Sequence, residues 1–186
     1  MTITYELLIT LHEIEPPIWR RVRVAGSVTL HELHLVIQAA MGWKNSHLYE
    51  FQTNAPSQRH PGRMLRVPVA HARNTSLQEF APEAGFMFYY VYDPGDGWEH
   101  TLVVEKISEG TSSFVHPVCL GGARACPPED CGGVPGYQEL VEAMANPTHE
   151  RRAELLEWLG APFDPEAFSE YDATTALRHR RVGPRR

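Results

Sequence analysis

Apolar and polar residues alternate over the first positions of the chain. In an extended conformation one face would carry an apolar row of Tyr5, Leu7, Ile9 and Leu11. A period of two is typical of a half-buried strand. Prolines 16 and 17 prevent further ladder bonding. The alternation then returns, with Ile18, Arg20, Val22 and Val24 on one face. The pattern predicts two antiparallel strands.

A helix is predicted next, because the apolar spacing lengthens to three and four. Thr29 and Glu32 have the capping-box spacing, in which each side chain accepts a hydrogen bond from the other residue's backbone N–H. Gly42 supplies the left-handed residue at which helices commonly end. The apolar stripe between them is Leu30, Leu33, Val36, Ile37, Ala40 and Met41.

The middle of the chain favours further strands. Residues 47–51, 86–92 and 100–107 are β-prone, and the composition of residues 93–97 is that of a turn joining the last two. Residues 53–85 are rich in Pro, Gly, Ser, Asn and Arg, which predicts a long surface excursion with one extended piece near residues 64–69.

The end of the chain favours helices. Apolar clusters predict one helix around Leu140 and another around Leu155 that Gly160 closes, and Asp164-Pro165 predicts the start of a third. Strands followed by helices indicate an α+β fold. We expect a single-domain roll with a mostly antiparallel sheet, one helix after the first two strands, and C-terminal helices packed on the sheet.

Composition agrees with one globular domain: the chain has 186 residues, of which 42% are hydrophobic and 22% charged. We assign residues 1–177 to the domain and residues 178–186 to a basic, disordered tail. The sequence has no stretch as long as a membrane-spanning helix and no signal-peptide pattern at its start. We therefore expect a cytoplasmic protein whose cysteines are reduced or metal-bound.

Charge is divided unevenly along the chain. The net charge is −6, but residues before 178 carry 12 basic and 23 acidic groups, a net charge of −11. A body this acidic would repel a phosphate backbone. One hypothesis is nevertheless a nucleic-acid accessory protein that acts through basic residues; the alternative is a solvated tail without a partner. The arginines concerned are Arg178, Arg180, Arg181, Arg185 and Arg186 of the tail, with Arg20, Arg21 and Arg23.

All three cysteines lie in residues 119–131, the cysteine loop, among glycines and prolines. Thiolates spaced along such a loop suit zinc, which takes four donors in a tetrahedron. The predicted ligands are Cys119, Cys126, Cys131 and His100, with His116 and His47 as rivals for the fourth position. Two alternatives stay open: Cys119 is a small buried hydrophobe, and Cys126 and Cys131 form a loop-closing disulfide.

A second candidate site is the acidic turn, residues 93–98. The side chains concerned are Asp93, Asp96, Glu99 and His100, with Glu129 and Asp130 facing them across a cleft. Carboxylates and a histidine that converge can bind a hard cation or supply acid–base chemistry. The alternative is structural: the aspartates hydrogen-bond to the turn backbone and Trp98 fills the core.

Other chemistry is sparse in the sequence. His31 and His34 are either a metal pair on the first helix or residues of its flank without a ligand role. A serine-nucleophile elbow, a phosphate-binding glycine loop and a His-Glu-x-x-His motif are absent. A cysteine nucleophile, Cys126 or Cys131 with His100 as its base, would need an exposed thiol with a lowered pKa.

Several segments resemble the plasmid pRiA4b ORF-3-like family, a group without an assigned activity. They are Trp19-Arg-Arg, His31-Glu-Leu-His-Leu-Val-Ile-Gln-Ala-Ala-Met-Gly-Trp43, Tyr92-Asp-Pro-Gly-Asp-Gly-Trp-Glu-His100, Cys119 through Tyr137, and Phe163-Asp-Pro-Glu-Ala-Phe168. The resemblance implies a compact, roll-like α+β domain found on plasmids, mobile elements and chromosomes. One departure is Pro94, which stands where the family usually has phenylalanine.

Three functional hypotheses follow. The first is a non-enzymatic binding or regulatory module, in which the cysteine loop and the acidic turn form one site that holds zinc. The second is a metal-dependent hydrolase using Asp93, Asp96 and His100. The third is the nucleic-acid accessory protein. The first of these requires the cysteine loop to fold back onto the acidic turn.

Overall fold

The strands lie in the first two thirds of the chain and three helices follow them, while one long helix lies among the strands near the start. The computed structural model describes residues 2–53, 65–110 and 116–179. The strands are β1 (Thr2–Leu11), β2 (Trp19–Ala25), β3 (Tyr49–Thr53), β4 (Leu65–Val67), β5 (Met87–Tyr92), β6 (Trp98–Gly110) and β7 (Val118–Ala123). The helices are α1 (Leu30–Met41), α2 (Val69–Ala72), α3 (Leu77–Phe80), α4 (Gly133–Ala145), α5 (Arg152–Leu159) and α6 (Glu170–His179).

These strands form one antiparallel sheet. In the described part of the chain their order is β4-β3-β5-β6-β1-β2-β7, and each neighbouring pair is antiparallel. The alternation predicted for β1 is confirmed, because Leu7 and Ile9 are fully buried while Glu6 meets Arg23 on the outer face. The α+β class, the antiparallel sheet and the packing of helices on it are therefore as predicted.

Helix α1 begins and ends where its caps predict. The Oγ1 of Thr29 accepts a hydrogen bond from the Glu32 N–H at 3.1 Å, and a Glu32 carboxylate oxygen accepts one from the Thr29 N–H at 2.8 Å. Gly42 ends the helix with φ of +97°, a conformation that glycine adopts without steric cost. The apolar stripe of α1 is buried in the core beneath the sheet.

Arg20 lies on the buried face of β2, as the alternation predicts, and its charge is compensated there. Its guanidinium donates to the backbone carbonyls of Ala40 at 2.9 Å, Trp19 at 2.8 Å, Ala123 at 2.8 Å and Arg124 at 2.8 Å. A buried charge is tolerated when its donors are satisfied. The side chain thus links α1 and the end of β7 to β2, the strand next to the sheet edge.

Three local predictions were wrong. The segment predicted as a surface excursion contains two short helices, and Ala72, Leu77 and Ala81 in it are fully buried; residues 54–64 lie outside the described ranges. The first residues of the cysteine loop form edge strand β7, whose glycines pair with β2. Asp164 caps a single turn, and the next helix starts only at Glu170.

The C-terminal helix extends past the predicted end of the domain at residue 177. Helix α6 runs to His179, so the predicted boundary at residue 178 lies inside it, and residues 180–186 lie outside the described ranges. Helix α6 is held to the sheet edge by Thr174, whose Oγ1 accepts a hydrogen bond from the Cys119 N–H at 3.1 Å. In the described ranges, each helix is too short or too polar to cross a lipid bilayer.

Candidate functional site

The acidic turn joins β5 to β6 and is shaped by Asp93. This residue has φ of +50°, which aspartate tolerates better than most residues. Its carbonyl accepts from the Gly97 N–H at 2.6 Å, and its Oδ1 accepts from the Gly95 N–H at 3.0 Å. The structural role predicted for the turn aspartates therefore occupies one carboxylate oxygen of Asp93. The other oxygen, Oδ2, faces a histidine instead of the turn.

The cysteine loop does fold back onto this turn. The Gly132 N–H donates to Asp96 Oδ2 at 3.2 Å. A Cβ on Gly133 would lie 2.5 Å from the Asp96 carbonyl oxygen, so the two backbones touch at a position that only glycine fits. Earlier in the loop, the Pro127 carbonyl accepts a hydrogen bond from the Trp43 indole N–H at 2.9 Å. The convergence required by the first hypothesis is present.

Glu129 fixes the middle of the loop against the segment after α1. Its carboxylate accepts from the Lys44 N–H at 2.6 Å and from the Tyr92 hydroxyl at 2.9 Å. Burial and then the bond to this carboxylate raise the pKa of Tyr92 to about 12. Burial also tends to raise the pKa of Glu129, but these hydrogen bonds, one to Ser46 and the charge of His47 hold it below its usual range. At neutral pH the Tyr92 hydroxyl is therefore protonated and the Glu129 carboxylate is ionised, so the hydrogen bond between them is kept.

His47, Asp93 and Asp130 meet where these three segments come together. The Nε2 atom of His47 lies 3.0 Å from Asp130 Oδ1 and 3.6 Å from Asp93 Oδ2. One ligand atom from each residue lies within 4.8 Å of the other two. Within the described ranges, no other group of three His, Cys, Asp or Glu side chains has its ligand atoms this close together. Asp93 is nearly buried, His47 is partly exposed, and Asp130 is largely open to solvent.

The spacing in this cluster fits a small metal ion. Donor atoms at about 2.1 Å from a tetrahedral zinc ion lie about 3.4 Å from one another, and the measured separations of 3.0 and 3.6 Å fall on either side of that value. Nε2 of His47 is buried and lacks a hydrogen bond of acceptable geometry, although Asp130 is close.

Comparison with known proteins identifies the family of the chain. A family model described as plasmid pRiA4b ORF-3-like protein matches residues 3–172. The chain belongs to this family. It is 43% identical over 173 residues, covering 91% of this chain and 84% of the relative, to an uncharacterized protein, y4hQ, of Sinorhizobium fredii strain NBRC 101917 / NGR234. The resemblance drawn from the sequence motifs is thereby confirmed.

A solved structure supports the architecture. The chain matches the crystal structure of the protein of unknown function MM3350 from Methanosarcina mazei Go1 with a TM-score of 0.80. The identity is 33%, and the match covers 92% of this chain and 98% of the other. Pro94 is exposed in the acidic turn, where the Gly95 and Gly97 N–H groups donate to Asp93.

His100, named in both predicted sites, belongs to neither in the structure. Its side chain is fully buried on the inner face of β6. The Nδ1 atom lies 3.2 Å from the Tyr90 carbonyl oxygen and 3.1 Å from that of Trp98, and Nε2 has no hydrogen-bond partner among the described residues. Burial lowers the pKa of His100 to about 3, so the ring is neutral at physiological pH. The alternation of β6 turns His100 inward, away from Asp93 and Asp96.

The cysteines likewise do not assemble with His100. In the described ranges, Cys119, Cys126, Cys131 and His100 do not form a cluster with ligand atoms within 4.8 Å. Cys119 is fully buried in β7, as the alternative of a small buried hydrophobe predicts, and all three thiols are free. Burial raises the pKa of each thiol, that of Cys131 to about 12. Cys119 lies in β7, at the edge of the sheet, where its backbone N–H donates to Thr174 Oγ1 of α6 and its thiol contacts the Gly121 carbonyl.

Two other predicted groups have structural roles. His34 is buried on α1, not on its flank, and its ring nitrogens lie 2.7 Å from the Tyr90 hydroxyl and 2.7 Å from Asn45 Oδ1. His31 lies 2.9 Å from the Tyr49 hydroxyl. Both rings support the aromatic core, so they do not form a metal pair with a third ligand in the described ranges.

The arginines of β2 do not form a basic surface. Arg20 is buried and donates to four carbonyls, as described above. Arg21 is paired with Glu105 at 2.5 Å, and Arg23 with Glu6 at 2.9 Å. Each positive charge is therefore compensated within the fold. Arg178 lies in α6, and the remaining tail arginines lie outside the described ranges.

From the sequence, Asp130 was correctly predicted to lie close to Asp93, but His47 was named only as an alternative fourth ligand of the cysteine site. His47 follows α1 by a few residues, and the sequence gives no spacing motif that links it to either aspartate. A weak indication was present: Asn45 is a residue type that adopts the left-handed conformation readily, and its φ of +61° helps to redirect the chain toward the turn.

Proposed function

We propose that the protein is a non-enzymatic binding or regulatory module that holds a divalent metal ion, zinc above all, with His47, Asp93 and Asp130. The observation that supports this most strongly is the convergence of one nitrogen and two carboxylate oxygens from three separate segments of the chain. Imidazole and carboxylate are a donor set that zinc accepts. The ion would also offset the repulsion between two neighbouring carboxylates.

The proposed ion would link three segments that the fold brings together by other contacts. His47 lies in the connection after α1, Asp93 in the acidic turn and Asp130 in the cysteine loop. Three protein ligands leave a coordination position open on a tetrahedral ion. Because Asp130 is largely exposed, that position would face solvent, where a donor atom of a partner can reach it. This openness supports a binding role, and it is also the arrangement that catalytic zinc sites use.

A catalytic role has less support from the surrounding groups. A metal-dependent hydrolase activates a metal-bound water and commonly assists it with a protein group that exchanges protons near neutral pH. Next to the cluster, Glu129 accepts structural hydrogen bonds, and the pKa of Tyr92 is raised to about 12. Asp96 accepts from Gly132 and His100 is buried elsewhere. The residues predicted for the hydrolase thus do not converge in the described structure.

The test is metal binding by the full-length protein after removal and re-addition of metal. Titration calorimetry with Zn²⁺, supported by elemental analysis, should give a stoichiometry of about one ion per chain. The variants His47→Gln and Asp130→Asn should each weaken binding by at least about 10-fold. Matched controls are His71→Gln and Asp172→Asn, exposed residues on α2 and α6 that lie outside the cluster.

The double variant Cys126→Ser/Cys131→Ser separates this proposal from the predicted cysteine site. The His47 cluster requires zinc affinity to be unchanged in that variant. Loss of zinc binding in the cysteine variant, together with unchanged binding by His47→Gln, would transfer the site to the thiols. Absence of saturable binding by the unmodified protein to Zn²⁺, Mn²⁺ and Ni²⁺ would refute the metal proposal altogether.

A further inference from the structure

A cavity separate from the metal cluster lies between the β1–β2 connection, the acidic turn and the start of α4. Its volume is about 140 Å³, several times the share of about 30 Å³ that one water molecule takes in the liquid. The residues that line it are His12, Glu13, Gly97, Trp98, Glu99 and Val134. His47, Asp93 and Asp130 do not line it, so a ligand in this cavity would occupy a site of its own.

The indole N–H of Trp98 opens into this cavity without a partner. Its Nε1 donates no hydrogen bond to any residue of the described ranges. In those ranges the unpaired side-chain atoms that are sealed from water are His47 Nε2, His100 Nε2 and the Tyr137 hydroxyl, so the Trp98 nitrogen is not sealed. Trp98 is only 1% exposed, and that remaining surface lies where the side chain lines the cavity. A donor held in this way is expected to pair with an acceptor from outside the chain.

The start of helix α4 also favours an acceptor at the inner end of the cavity. Val134 lies in the first turn of α4 and forms part of the cavity wall. The backbone N–H groups of a first helical turn have no partners within the helix, and the helix dipole places a partial positive charge there. An oxygen atom bonded to the Trp98 N–H would therefore lie in a favourable electrostatic field.

The outer part of the cavity carries two carboxylates. Glu13 and Glu99 line it and are exposed. Glu99 Oε2 lies 3.8 Å from His12 Nδ1, which is too far for a hydrogen bond, and the other ring nitrogen of His12 contacts the Thr101 hydroxyl. Glu13 has no salt-bridge partner within the described ranges. Both carboxylates can therefore accept hydrogen bonds from a ligand.

A primary carboxamide group satisfies both ends of this cavity. Its oxygen is an acceptor for the Trp98 N–H, and its two N–H hydrogens are donors for Glu13 and Glu99. The two carboxylates would repel an anion, an ammonium ion has no acceptor for the indole, and a hydroxyl group has a single hydrogen to donate. We propose that this cavity binds a small neutral molecule or side chain that ends in a primary carboxamide. The proposal extends beyond the metal site and does not depend on it.

The experiment is a nuclear magnetic resonance titration of the full-length, nitrogen-labelled protein with propionamide, observed at the indole N–H signals. We expect a saturable downfield shift of the Trp98 signal, because a new hydrogen bond deshields the proton. The Trp43 signal should stay in place, since that N–H already donates to the Pro127 carbonyl at 2.9 Å. N,N-Dimethylpropionamide, which has no N–H hydrogens, should bind more weakly by at least about 10-fold. Propionate should also bind more weakly than propionamide, because the carboxylates repel it.

Two variants test the carboxylates. Glu13→Ala/Glu99→Ala should weaken propionamide binding by about 10-fold or more, since two hydrogen bonds to charged acceptors are lost. Both side chains are exposed, so this variant should fold normally. The control Glu157→Ala changes an exposed residue of α5 outside the cavity and should leave binding unchanged. An end-blocked glutamine peptide distinguishes the source of the ligand: tighter binding than propionamide assigns the carboxamide to a partner's side chain, and weaker binding to a free small molecule.

Three outcomes would overturn the proposal. The first is a Trp98 indole signal that does not shift at any propionamide concentration. The second is equal affinity for propionamide and its dimethyl derivative, which would leave no role for the N–H groups of the ligand. The third is unchanged propionamide affinity in Glu13→Ala/Glu99→Ala, which would remove the carboxylates from the site.

Discussion

The backbone N–H of Gly132 donates to the carboxylate of Asp96 at 3.2 Å, and this bond joins the cysteine loop to the acidic turn. The neighbouring residue, Gly133, packs against the Asp96 carbonyl at a distance that leaves no room for a side chain. The metal cluster depends on this junction, because Asp93 and Asp130 lie on its two sides. We therefore expect this junction to contribute both to the stability of the fold and to the proposed metal binding.

Replacing Gly133 by alanine should destabilise the fold and weaken metal binding. Gly133 has φ of +67°, and a Cβ there would lie 2.5 Å from the Asp96 carbonyl oxygen. The left-handed penalty and the steric overlap together predict a loss of about 2–5 kcal/mol in the free energy of unfolding. Urea denaturation measures it. Gly160→Ala is the matched control, because its φ is +72° but no atom lies within 4 Å; equal losses would contradict the predicted overlap.

Arg20 should contribute more to stability than either neighbouring arginine of β2. Arg20→Met removes the guanidinium donor from four backbone carbonyls, two of them in buried and two in part-buried hydrogen bonds, which predicts a loss of about 3–5 kcal/mol in the free energy of unfolding. Arg23→Met removes only a surface pair with Glu6 and should cost about 1 kcal/mol or less. Thermal and urea unfolding of both variants provide the comparison. Similar losses would show that the Arg20 network is not a special source of stability.

His100 should make stability depend on pH in the mildly acidic range. The folded pKa is lowered to about 3 from an ordinary value of 6.5 by burial. The unfolded chain therefore takes up a proton that the folded chain refuses. The stabilisation is present above about 6.5 and is lost as pH falls from there toward about 3.

The variant His100→Gln should have a flatter stability profile between those two values. Urea midpoints at a series of pH values measure the slope, and the upper part of the window is informative because most carboxylates have not yet begun to titrate there. His71→Gln, which changes an exposed histidine, should keep the slope of the unmodified protein. An unchanged slope in His100→Gln would mean that another group titrates in this range.

The cysteines should resist alkylation in the folded protein. Burial raises the pKa of all three thiols, that of Cys131 to about 12, and the thiolate is the reactive form. With iodoacetamide at mildly alkaline pH, mass spectrometry should find little modification of the native chain and complete modification after denaturation. Rapid labelling of native Cys126 or Cys131 would revive the cysteine-nucleophile hypothesis.

Local sequence predicted the secondary structure where one pattern dominated. The alternation of β1 and β2 and the capped stripe of α1 are present as expected, because the period of apolar residues fixes which face a strand or helix buries. The sequence did not predict β7, because glycine-rich segments rarely form strands by their own propensity. In β7 the backbone pairs with β2 despite its glycines, and such pairing is set by the partner strand.

The residues of the candidate site also differ in how far the sequence predicts their positions. Asp93 and its turn are visible in the sequence, since turn composition acts over a few residues. The direction of His100 is fixed by the alternation of β6 and was obtainable in principle. The approach of His47 to Asp130 was not, because these residues are distant in sequence and are brought together by the Glu129 contacts with Lys44 and Tyr92.

By itself, the sequence determined the α+β class, the family and the elements with a strong apolar period, because burial of an apolar face is decided residue by residue. Only the tertiary structure decided which polar side chains share a site. It paired the glycine-rich β7 with β2 and brought His47 to the two aspartates, because these positions depend on the packing of segments that have no local pattern in common.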